Sequence, residues 1–190
     1  MSDTVRPDTL AFMSQPRRLL TNRPLVTVGM LLWLGWPIAP GLLADSTVDE
    51  QVKTIRSRYD AVDKDLSRCK QVKRDLPDES TEGGELTAYF SDQALRKLAA
   101  KFYGETGQAL EEYYFWDGRL FFVLRGESRY DKPLSGKVKS KSEERFYFAD
   151  DALIRWLDPR KKEVSAGPEF QQRGQDWLAQ AKKYSALVKK

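Results

Sequence analysis

Apolar residues fall at Val48, Val52, Ile55, Tyr59, Val62, Leu66 and Cys69 in alternating steps of four and three, separated by charged and polar positions. That spacing keeps one stripe of a helix apolar. Thr47 followed by Glu50 has the form of a capping box and marks the start. At Lys73 the stripe slips, Val72 and Leu76 take over, and Pro77 ends it. The pattern predicts one long amphipathic helix over residues 48–76. After the Thr81-Glu82-Gly83-Gly84 loop the chain repeats itself. Tyr89-Phe90-Ser91-Asp92-Gln93-Ala94-Leu95, Tyr114-Phe115-Trp116-Asp117-Gly118-Arg119-Leu120 and Tyr147-Phe148-Ala149-Asp150-Asp151-Ala152-Leu153 all fit Tyr-Phe-x-Asp-x-x-Leu.

The middle copy sets Asp117-Gly118 between apolar runs, which signals a two-residue hairpin turn with positive φ at both residues. By analogy each copy is a β-hairpin, giving a six-stranded antiparallel meander. In the first copy Ala94, Leu95, Leu98, Ala99 and Phe102 also keep a helical period; the repeat favours strand. The tail from Glu169, with Phe170, Trp177, Ala181, Tyr184 and Val188 on one stripe, predicts a C-terminal helix. The expected fold is therefore α+β: a long N-terminal helix, six meandering strands and a C-terminal helix.

A turn at Asp117-Gly118 pairs Trp116 with Arg119, Phe115 with Leu120, Tyr114 with Phe121 and Tyr113 with Phe122. Side chains alternate along a strand, so Phe90, Leu95, Phe115, Leu120, Phe122, Phe148 and Leu153 share one face, expected to be the core under the long helix. The opposite face collects Tyr89, Tyr114, Phe121, Val123, Tyr147 and Ile154 with Trp116, Arg119, Arg125 and Arg145. Aromatic area beside guanidinium donors suits an extended or aromatic ligand, and Tyr89, Tyr114, Trp116, Arg119, Tyr147 and Arg145 are the candidate ligand-binding residues. The competing reading lays the C-terminal helix over this face as a second core layer.

The N-terminal pattern differs. Arg17, Arg18 and Arg23 precede an apolar stretch from Leu25 to Ala44 that ends in Gly41-Leu42-Leu43-Ala44. This positive, apolar, small-residue order predicts a signal peptide over residues 1–44 and a single domain over residues 45–190. If uncleaved, residues 25–44 are an inner-membrane anchor instead. Asp45, not Cys, follows Ala44, so no lipid-modified N-terminus is expected. The expected location is periplasmic or secreted.

Charge and composition narrow the chemistry. The chain has 190 residues with 32 Lys+Arg against 28 Asp+Glu, a net charge of +4. Removing Arg6, Arg17, Arg18, Arg23, Asp3 and Asp8 with the signal brings the two signs close to balance. Nucleic acid is not an expected partner, since it needs a concentrated basic face. There is no histidine and one cysteine. The usual imidazole-dependent nucleophile, zinc and haem sites are thus excluded, as is an internal disulfide. No cofactor, metal or catalytic residue is expected. Neighbouring carboxylates such as Glu111 and Glu112 point to opposite faces of a strand and make poor acid/base partners. Glu82, Glu85 and Glu105 read as solvated strand-end charges. Lys132, Lys137, Lys139 and Lys141 could read an anionic patch, although a solvated loop is the ordinary state of such a run.

Three segments carry a resemblance: Thr81 to Phe90, Lys101-Phe102-Tyr103-Gly104-Glu105-Thr106-Gly107, and Glu111 to Val123. Over roughly residues 48–160 the chain resembles a family of uncharacterised bacterial exported proteins and lipoproteins. The resemblance implies export and a small β-rich domain, and brings no activity with it. The hairpin series also distantly resembles the meander of MORN-like repeats, without their glycine pattern. The function expected is that of an exported envelope protein acting as a non-enzymatic binding or interaction module through the aromatic and basic sheet face. The alternative is a carboxylate-dependent hydrolase acting on envelope glycans. The partner is an unnamed envelope ligand or protein. A monomer is favoured, with a homodimer through the overhanging helix seam as the alternative.

Overall fold

In a computed structural model of the protein, residues 47–77 and 80–189 are described. The predicted signal segment lies outside them. Among the described residues no helix is long and apolar enough to cross a membrane.

The chain runs through α1 (Val48–Asp65), a short 3₁₀ turn (Leu66–Arg68), β1 (Lys70–Asp75), β2 (Gly84–Ser91), β3 (Ala94–Gly104), β4 (Gly107–Trp116), β5 (Arg119–Tyr130), β6 (Val138–Ala149), β7 (Ala152–Leu157) and α2 (Pro168–Val188). The strands form one antiparallel sheet in chain order. The α+β class and the two terminal helices stand as expected, but the sheet has seven strands, not six. The seventh is β1, cut from the end of the predicted long helix. Thr47 does close a capping box with Glu50, yet α1 stops at Asp65. Val72 and Leu76 lie four residues apart, a spacing that one helix face and one strand face share. The slip at Lys73 marks the chain leaving one side of the sheet for the other: Leu66 packs with α1, whereas Val72 and Leu76 belong to the opposite core.

The three repeats are the β2–β3, β4–β5 and β6–β7 hairpins. Each turns on two residues of positive φ: Asp92 and Gln93, Asp117 and Gly118, Asp150 and Asp151. In each the repeated Phe faces the repeated Leu. The register then shifts by one at the same place, between the Tyr and the Phe, leaving Arg96, Phe121 and Ile154 as the extra residues of three bulges. The shift corrects the simple pairing. Tyr114 faces Phe122 and Tyr113 faces Val123, so Phe122 moves to the tyrosine face and Val123 to the Phe/Leu face.

Both faces are covered, and the helices exchange their expected places. α2 lies on the Phe/Leu face, where Phe170, Trp177, Ala181, Tyr184 and Val188 meet Tyr113, Phe115, Leu120, Val123, Phe146, Phe148 and Trp156. Val72, Ala88, Leu98, Tyr113, Val123, Phe146 and Trp156 stand in register across all seven strands beneath it. A helix of 21 residues is about 31 Å long and seven strands are about 29 Å across, so α2 can reach both β7 and β1, and it does. α1 lies on the tyrosine face, where Val52, Ile55, Tyr59, Val62 and Leu66 cover Tyr114, Phe121, Phe122 and Tyr147. Its 18 residues span only about 27 Å, which removes the overhanging seam expected of the longer helix. Trp177 and Tyr184 accordingly pack on the opposite side of the sheet from Leu66.

Candidate functional site

The tyrosine face divides into a covered half and an open half. Under α1 the row Tyr89, Lys97, Tyr114, Phe122, Tyr147 and Arg155 crosses β2 to β7 in register. Tyr59 sits on it, 4.9 Å from Tyr114 and 5.4 Å from Phe122 between ring centroids. Arg155 ties the row to α1 through Asp49 at 2.8 Å. Lys97 is buried, its ammonium 2.5 Å from Glu112 and 4.8 Å from the centre of the Tyr114 ring. The Tyr114 hydroxyl donates to Glu112 at 3.4 Å. Burial, reinforced by the Glu112 charge, pushes the Tyr114 phenol well above its usual range. Burial likewise raises Tyr59.

The six residues named from the sequence do not form one open face. Tyr114 and Tyr147 are buried beneath α1. Tyr89 is half-buried, with the Lys97 ammonium 6.0 Å from its ring. Trp116 is half-buried, with the guanidinium groups of Arg58 and Arg96 over its ring at 5.7 and 5.3 Å. Arg119 is exposed and 3.4 Å from Asp150. Arg145 alone reaches the open half.

That half begins where α1 ends its cover. β4, β5 and β6 continue past the helix and carry three more registered rows: Glu112, Leu124 and Arg145; Leu110, Gly126 and Glu143; Gln108, Ser128 and Lys141. Together they floor an open groove of about 540 Å³. Leu110 is 38 % exposed in its middle. Gly126 leaves a gap between Leu110 and Glu143. A Cβ built there meets nothing closer than the Leu110 carbonyl oxygen at 3.9 Å, so packing does not require the glycine. One wall is the loop after β7. The Asp158 carboxylate accepts from the N–H groups of Arg160 and Lys162, both at 2.8 Å, and Lys161 is held at φ +62° beside the groove. A smaller cavity of about 290 Å³ between α1 and the sheet shares Leu124, Glu143 and Arg145 with it and adds Tyr59 and Arg56.

The charges of the groove differ in how they are held. Glu143 binds Arg145 at 2.7 Å and Glu112 binds Lys97. Burial lowers the Arg145 guanidinium, but the hydrogen bond and charge of Glu143 outweigh it and leave Arg145 above its usual value. Lys141 and Lys161 have no ion-pair partner among the described residues. On the other face, an opening of about 420 Å³ beside α2 contains Glu111 and Arg125. There Arg125 contacts Glu127 and binds Glu144 at 2.9 Å, and the Tyr113 hydroxyl donates to Glu111 at 2.6 Å. One guanidinium there serves three carboxylates, whereas the groove keeps two cations over. Glu111 and Glu112 fall on opposite faces, as strand geometry requires.

The remaining candidate chemistry is quiet. Burial, with the Asp65 charge second, raises the Cys69 thiol above its usual value, and it donates to the Asp65 carbonyl oxygen at 3.6 Å. A thiol kept protonated is a poor nucleophile. Among the described residues no three Asp, Glu or Cys side chains converge as a metal site. No protein-family model, curated protein or solved structure matches the chain.

Proposed function

We propose that the protein is an exported, non-enzymatic binding module of the bacterial envelope, and that it holds an extended ligand carrying an anionic group in the groove beside α1. The observation that carries this reading is Gly126. A glycine inside a strand weakens it unless something approaches the backbone closely, and here neither the local φ nor the packing demands one. With Leu110 on one side and Lys141, Lys161 and Arg145 around it, the gap offers apolar contact and cationic donors together.

Amide shifts during titration with soluble envelope-glycan fragments, and separately with short acidic peptides, test the proposal. Shifts should gather on Gln108–Glu112, Leu124–Ser128 and Lys141–Arg145 for one of the two. Gly126→Val should remove them while leaving the unfolding transition in place. No shift with either probe, or shifts that survive Gly126→Val, would overturn the reading. New reducing ends in the glycan arm would replace it with the carboxylate-dependent hydrolase.

A further inference from the structure

An antiparallel meander sends alternate turns to opposite ends of the sheet. The repeat turns at one end carry Asp92, Asp117, Asp150 and Asp151, all exposed. The other end carries the β5–β6 loop, with Lys132 and Lys137, the first residues of β6, with Lys139 and Lys141, and the loop after β7. Some of its carboxylates are engaged. Asp131 accepts from Ser135 Oγ at 2.6 Å and lies 3.6 Å from the Lys137 ammonium. Asp158 caps its own loop. Asp75, Glu82 and Glu105 are exposed acids of this end among the described residues, and Glu105 lies next to Leu134.

At the tip of this end stands Leu134, 71 % exposed, more than any other large apolar residue described. It does not dangle. Its backbone holds φ +58°, a region leucine rarely adopts, and its N–H donates to the Glu105 carbonyl oxygen at 2.6 Å. The Asp131 N–H donates to the Lys137 carbonyl oxygen at 2.9 Å and closes the loop beneath it. Val138, 39 % exposed, lies just behind. A loop that fixes a leucine outward between Lys132 and Lys137, with Lys139 beside it, has the make-up of an interfacial membrane contact: a small apolar insertion and cations for anionic headgroups.

We infer that this end of the sheet docks on an anionic lipid bilayer, with Leu134 entering the headgroup boundary. A bilayer suits a single protruding leucine, whereas an acidic polymer has no use for it. The contact borders the ligand groove, whose Lys141 and Lys161 lie beside it.

Full-length Cys69→Ser protein carrying an environment-sensitive dye at Leu134→Cys provides the test, because the readout is local and does not depend on what residues 25–44 do. Dye emission should shift to the blue on phosphatidylglycerol-containing vesicles and not on pure phosphatidylcholine. The shift should shrink several-fold in high salt, and in a background of Lys132→Glu and Lys139→Glu. The same dye at Gly118→Cys, at the opposite end of the sheet, should not respond, and Gly126→Val should leave the Leu134 signal unchanged. No shift on anionic vesicles, an equal shift at position 118, or the same shift with soluble polyglutamate in place of lipid would each overturn the inference.

Discussion

Tyr114 shows how much of this chain's chemistry is decided by what covers a residue. In sequence it is a tyrosine on an aromatic and basic face. In the fold its ring is buried and its hydroxyl is set between Glu112 and Tyr59. The native state therefore holds the phenol neutral above the pH, near 10, at which the unfolded chain releases its proton. Above that pH the unfolded state binds fewer protons than the native one, so stability should be level up to about pH 10 and fall beyond it. Each such proton accounts for about 1.4 kcal/mol per pH unit. Tyr114→Phe should flatten the fall by up to that amount in urea titrations between about pH 9 and 11.5. Identical slopes in the two proteins would show that another group, such as Tyr59, governs alkaline unfolding. The burial was not legible from the residue, because alternation assigns a face and leaves its cover open. Nothing in the sequence marked Gly126, because its place between Leu110 and Glu143 depends on pairing across three strands.

At the scale of elements, the repeat was the strongest signal, since three copies of one heptad place three turns without appeal to propensity. It settles the first copy as a hairpin although Ala94, Leu95 and Leu98 keep a helical period. It could not show the bulge, because the extra residues Arg96, Phe121 and Ile154 share no side-chain type and the shift appears only as register. β1 was hidden for a related reason: with five of its six residues exposed, it carries almost no pattern of its own. α2 is held close to β7 at Gly174, where an added Cβ would stand 2.8 Å from the Leu153 Cβ. Glycine to alanine inside a helix gains about 1 kcal/mol by propensity. Overpacking typically costs about 1–3 kcal/mol. Gly174→Ala should therefore be neutral to destabilising by about 2 kcal/mol, and the loss should diminish in the Leu153→Gly background, which removes the Cβ that the new methyl meets. A clear gain in stability from Gly174→Ala alone would mean that α2 and β7 readily part at this contact.

For the molecule as a whole, the sheet separates two apolar layers with different jobs to do. Predicting that aromatic stripes need cover was sound, but sequence period cannot say which helix takes which face. Connectivity and the crossing at Cys69 decide it: the chain lays α1 on the tyrosine face, then enters the sheet edge through β1, which leaves the other face for α2. Each helix then fixes its own half of the core, with Ile55 against the tyrosine layer and Trp177 against Tyr113 and Phe146. Removing a buried isoleucine side chain typically costs about 2–5 kcal/mol and a tryptophan about 3–5 kcal/mol. Ile55 and Trp177 belong to separate clusters on opposite sides of the sheet. Their losses should therefore add to within about 0.5 kcal/mol in the double variant Ile55→Ala with Trp177→Ala, provided the sheet between them stays rigid. Equilibrium unfolding in urea, followed at once by far-ultraviolet circular dichroism and by tryptophan fluorescence, measures this. Coincident transitions with additive losses mean that the sheet transmits cooperativity while insulating the two layers from local repacking. A coupling well beyond that margin would mean that the sheet deforms when either helix is loosened, so that ligand contact on the α1 side would be felt by α2.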